Sequence, residues 1–66
     1  MSFNEYKSKV VKMFKSCGYS DADTSKYFST KQVDELLRKH YEGFTDNGIA
    51  GYSPEATASC LDMLYE

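Results

Sequence analysis

A chain of 66 residues makes one domain, and folding one this short buries only about 60% of the surface its unfolded form exposes. Its 41% apolar and 27% charged residues match an ordinary folded domain and exclude a disordered tail; no apolar run of about 18 residues offers a membrane span, and no leader-like apolar stretch follows Met1, so the expected location is the cytoplasm. The net charge of −2 is segregated, +3 over residues 1–20, −1 over 21–45 and −4 over 46–66, and that acidic last third excludes a protein that coats nucleic acid along its whole length.

The first predicted element is a helix over about 3–17. Ser2 and Glu5 have the spacing of a capping box, in which each side chain satisfies a backbone donor of the other residue. Phe3, Tyr6, Val10, Met13 and Cys17 recur at intervals of three and four, with Phe14 widening this apolar stripe. Gly18 supplies a left-handed stop. Lys7, Lys9, Lys12 and Lys15 read as a solvated face.

The polar stretch from Ser20 to Lys26 follows, and the Ser20 and Asp23 spacing caps a short extra helical turn at about 21–27 within a loop. Asp21, Asp23, Ser25, Tyr27 and Ser29 also fall at alternate positions, with Phe28 apolar among them. Over this dozen residues the chain resembles an EF-hand calcium loop. It departs from that family at two decisive places: Lys26 stands where the glycine of the sharp turn belongs, and Gln32 replaces the bidentate glutamate. No metal site is therefore expected, and an Asp- and Ser-rich helix entry accounts for the same residues.

The second main helix is predicted over about 30–42, opened by Ser29 or Thr30 with Gln32. Val33, Leu36, Leu37, His40, Tyr41 and Phe44 share one side. Asp34 with Arg38, and Glu35 with Lys39, form acid-first pairs four apart, each contributing a few tenths of a kcal/mol. Gly43 is the expected stop. Phe44 to Tyr52, with Asn47-Gly48 and Gly51, then reads as a loop whose Phe44, Ile49 and Tyr52 fold back on the helices. Ser53-Pro54-Glu55 opens the last helix, about 54–65, with a hydroxyl cap, proline at the first helical position and an acid at the positive end of the dipole. Ala56, Cys60, Leu61, Met63 and Leu64 make its apolar side, the small residues Ala56 to Ser59 admit a close neighbour, and Tyr65 and Glu66 fray. The expected fold is all-α, a small three-helix bundle in a single domain spanning 1–66.

Catalytic residues are not apparent. His40 is the only histidine and sits among apolar neighbours as a boundary residue. Cys17 and Cys60 lie outside any CxxC spacing and read as buried small hydrophobes, bridged only in an exported chain. With His40 they lack the short paired spacings of a structural zinc site. No cofactor motif appears; Asn47 to Gly51 follows no strand and lacks the lysine of a phosphate loop.

Two classes of function remain. The first is a non-enzymatic binding protein acting by protein-protein contact. Six tyrosines are more than so small a core hides, which puts some at the surface as interface residues, and Tyr41, Phe44, Ile49 and Tyr52 are the candidate binding residues. In size, aromatic content and mild acidity the chain resembles the regulators and inhibitors that phages and other mobile elements encode. A protein partner is expected, and a homo-dimer is compatible with so thin a core. The alternative is a small helix-turn-helix DNA-binding or transcription-related domain, since Ser29 to Leu37 is similar to the opening helix of such domains. Against it, a recognition helix should follow within about 3–4 residues, whereas roughly ten precede Ser53, and the last helix has acids but no Lys or Arg.

Overall fold

The computed structural model describes residues 1–65, and over these the protein is all-α. Four helices follow in order, α1 (Phe3–Lys15), α2 (Asp21–Phe28), α3 (Lys31–Asn47) and α4 (Pro54–Leu64), with a single 3-10 turn at Ala50–Tyr52 between the last two. Each helix begins where a hydroxyl accepts the backbone N–H three residues on: Ser2 from Glu5, Ser20 from Asp23, Thr30 from Val33 and Ser53 from Ala56. At Ser2 the capping box is complete, because Glu5 Oε1 accepts from the Ser2 amide at 3.4 Å.

Two boundaries differ from the sequence reading. The short turn expected at 21–27 is a full two-turn helix, α2, which buries Thr24 and Phe28. The calcium-loop resemblance therefore falls on helical backbone, where Asp21 pairs with Lys15 across to α1. Gly43 does not stop α3. The helix passes through it to Asn47, and the left-handed stop is Gly48, at φ +63°, whose amide reaches the carbonyls of Gly43 and Phe44. Gly43 serves packing instead: a Cβ on it would stand 2.8 Å from Tyr52 Cε2, inside van der Waals contact. The predicted 44–52 loop is thus half helix.

The core joins Tyr6, Val10 and Phe14 of α1 to Phe28, Val33, Leu37, Ala58 and Leu61. Helix α1 makes its most extensive contact with α4, and the buried Thr57 and Ala58 are the small residues that admit it. Phe14 is fully buried, and Phe28 and Tyr65 meet its edges at 5.2 and 5.9 Å, while Tyr19 stacks on it at 4.1 Å. Aromatic pairs of this kind are worth about 0.5–1.5 kcal/mol each beyond area burial, so this cluster is a large share of the roughly 3–5 kcal/mol that a domain of this size retains.

The cluster also corrects the reading of the chain's end. Tyr65 is not frayed, since its ring packs on Phe14, Tyr19 and Tyr27; Glu66 lies outside the described residues. Cys17 is exposed rather than buried, because α1 ends before it and the stripe closes on Phe14, while Cys60 is half-buried; both are free thiols. Of the two acid-first pairs only Asp34 with Arg38 forms, at 3.0 Å; Glu35 faces Lys31 at 3.9 Å.

Candidate functional site

None of the six tyrosines is exposed, contrary to the expectation from their number. Four of their hydroxyls, those of Tyr6, Tyr19, Tyr27 and Tyr41, are held by groups distant in the chain. Tyr27 donates to the Leu61 carbonyl at 3.1 Å, Tyr41 to the Met1 carbonyl at 2.7 Å, and Tyr19 to the Asp62 carboxylate. The Asp62 acceptor holds the Tyr19 proton in place and lifts that phenol to about 12.

Tyr6 anchors a longer chain of hydrogen bonds. Its hydroxyl donates to the Tyr52 carbonyl at 2.7 Å and lies 2.7 Å from Thr57 Oγ1, which lies 3.0 Å from His40 Nδ1. Counting protons assigns the rest. With the Tyr6 proton on Tyr52, Thr57 donates to Tyr6 in preference to its longer 3.4 Å contact with the same carbonyl, and this arrangement is completed by the His40 tautomer that donates from Nδ1 to Thr57. Thr57 is fully buried and Tyr6 equally so. Burial raises the Tyr6 phenol above its usual value, Thr57 opposing it in part, and desolvation lowers the His40 imidazole below 6.5. The chain ties α1, α3, α4 and the 3-10 turn into one unit, and it ends on a main-chain carbonyl, a hydrogen-bond acceptor but not a base. The Tyr52 ring stacks on His40 at 4.2 Å and 18°, a contact made possible by the missing Cβ of Gly43.

This unit forms part of the wall of an open groove between α3 and α4, about 1100 Å³ in volume. Leu36, Leu61, Leu64, Tyr27 and Tyr52 give it an apolar lining, and Glu35, Arg38, Lys39 and Glu42 bring both signs of charge. Beyond it the last turn of α4 projects two large apolar side chains, Met63 at 85% and Leu64 at 58% exposure. These were expected on the packed side of α4. They point outward because the buried side of the helix is set by Thr57, Ala58 and Leu61.

The four residues singled out from sequence are separated by this arrangement. Tyr41 is half-buried with its ring edge against Phe3 and Tyr6, each at 5.5 Å, and Phe44 packs on Tyr6 at 6.1 Å. Tyr52 belongs to the groove wall. Ile49 is 42% exposed on the turn after α3. The residues sequence reasoning passed over are Leu36, Met63 and Leu64 as a surface set, and Thr57 as partner of His40. The first could be found only by knowing how α3 and α4 diverge.

A second, smaller cleft of about 560 Å³ lies between α1 and α2, lined by Lys7, Val11, Thr24 and Phe28 and crossed by the Lys15 and Asp21 pair. Among the described residues no three His, Cys, Asp or Glu side chains gather as metal ligands, and no helix is long and apolar enough to cross a membrane. Helices α2 and α3 are separated by only Ser29 and Thr30, the short spacing of a helix-turn-helix. The exposed positions of α3, however, alternate Lys31, Arg38 and Lys39 with Glu35 and Glu42, whereas phosphate neutralisation needs clustered cations. Comparison with protein-family models, with curated proteins and with solved structures returned no match.

Proposed function

We propose that this is a non-enzymatic, cytoplasmic binding protein that acts as a regulator or inhibitor through protein-protein contact at the groove between α3 and α4. The carrying observation is the apolar surface there, where a lined groove reaches the protruding Leu64, with Met63 exposed on the same last turn of α4. A thin core has every energetic reason to enclose such side chains, and contiguous exposed apolar surface rimmed by charge is the mark of a protein contact. Tyr52 stays in this surface, Ile49 extends it toward the turn, and Tyr41 and Phe44 serve as packing beneath. The His40, Thr57 and Tyr6 chain has a scaffolding role, holding Tyr52 in the wall.

Affinity purification with the tagged chain tests this. The native sequence should retain a protein in stoichiometric amount, and the double variant Met63→Glu with Leu64→Glu should lose it while keeping its helical circular dichroism. A folded double variant that retains the same protein would refute the groove as the docking face.

A further inference from the structure

The molecule carries both halves of a contact, an apolar groove and, at its edge, an apolar projection of matching chemistry. We infer that the groove is covered by a second copy of this chain, related by a two-fold axis, with Leu64 of each copy seated in the groove of the other; this rests on the reading of the groove as a protein-docking face.

Three observations select a second copy over an unrelated protein. The first is charge. The ends of the chain are strongly biased, with four lysines in residues 1–20 and none in 46–66, so a partner of either sign would be drawn to one of those regions. The groove is different: Glu35 and Glu42 balance Arg38 and Lys39. A two-fold axis lays a face on itself, which a single-signed face resists and a balanced one accepts. With α3 crossing its own copy antiparallel through the exposed side that carries Glu35 and Lys39, Glu35 of each chain meets Lys39 of the other, so one spacing supplies two ion pairs. The i,i+4 bond that would otherwise occupy Glu35 and Lys39 is absent; Glu35 faces only Lys31, at 3.9 Å and largely in solvent.

The second observation is placement. Leu64 both lines the groove and projects from it. A projection at the edge of its own receptor closes in a reciprocal pair, whereas one on the opposite face would build an open filament. The third is size. A standard interface takes about 800 Å² from each partner, a modest fraction of the 4420 Å² surface of this chain, so the contact takes in the groove together with its charged rim over one long face of a body 32 × 20 × 19 Å.

Sedimentation of the purified full chain from micromolar to millimolar concentration is the test. The native sequence should move from 7.5 kDa to twice that mass. Leu64→Glu, at an exposed position, should keep its helical spectrum and weaken dimerisation by about tenfold or more, since a leucine that is buried only in the dimer is worth at least that factor. Glu35→Lys should weaken it too, and Glu35→Lys combined with Lys39→Glu should restore it. A native chain that remains a monomer throughout, or a dimer indifferent to both Leu64→Glu and Glu35→Lys, overturns the inference. The two readings fail separately: a monomer that still captures a different protein through Met63 and Leu64 removes self-association alone, whereas a two-fold dimer that captures nothing removes docking on a foreign partner.

Discussion

Thr57→Val is the sharpest probe of what holds the four helices together. Valine keeps the shape of threonine and has a similar helix propensity, so the substitution removes the hydroxyl and little else. That hydroxyl lies 2.7 Å from Tyr6 Oη and 3.0 Å from His40 Nδ1, at a fully buried position. Tyr6 keeps its bond to the Tyr52 carbonyl and loses only an accepted bond. His40 loses its sole partner among the protein groups of this chain, but it is half-buried on the groove wall, so water can replace part of that bond and the loss falls at the low end of the about 1–3 kcal/mol for an unpaired polar group. The expected loss is about 1 kcal/mol, a sizeable part of the roughly 3–5 kcal/mol available to so small a domain. Urea titration followed by helical circular dichroism should show a lower midpoint with unchanged slope, and a melting temperature reduced by roughly 4–8 °C. Thr57→Ser, which restores the hydroxyl, should recover most of the loss. A Thr57→Val protein within about 0.5 kcal/mol of the native one would refute the reasoning, because surface substitutions change stability by that little.

Three further outcomes follow from the same geometry. His40 has a folded-state pKa lowered below 6.5 by desolvation, so the unfolded chain takes up the proton first; the stabilisation is fully present above 6.5 and is lost as pH falls through that value toward the lowered one, and His40→Gln should flatten the stability profile in that window. Gly43→Ala should lower the stability read by urea titration by about 1–2 kcal/mol despite alanine's better helix propensity, since its Cβ displaces the Tyr52 ring from His40; a more stable alanine variant would mean that the ring moves freely. Tyr19 should ionise at about 12 in a spectrophotometric phenolate titration, and Asp62→Asn should bring it back toward 10, because the carboxylate acceptor is the first cause of the shift.

Helix starts were legible because their chemistry is local. Ser2 with Glu5, Ser20 with Asp23 and Ser53-Pro54 each satisfy orphan backbone donors within three residues, and all three begin helices. Helix ends were less so. Gly43 and Gly48 look alike in sequence, and only the approach of Tyr52, nine positions on, shows that the first makes room and the second turns the chain. The tyrosines were misjudged for a related reason. A phenol is expected at the surface when no partner is known for its hydroxyl, and here the partners of Tyr6, Tyr19, Tyr27 and Tyr41 lie 34 to 51 residues away. The groove was illegible because it belongs to no single element; Leu36 and Leu64 become neighbours of one space only when α3 and α4 are placed.

That the groove between α3 and α4 is the face by which this molecule pairs with its own copy can be tested on the chain alone. A dilution series of methyl proton-carbon correlation spectra reports each side chain separately. The methyls of Leu36, Leu61, Met63 and Leu64 should shift together with concentration, while those of Val10 and Val11 on α1 stay fixed. Shifts confined to α1, with the groove methyls unmoved, would contradict the account.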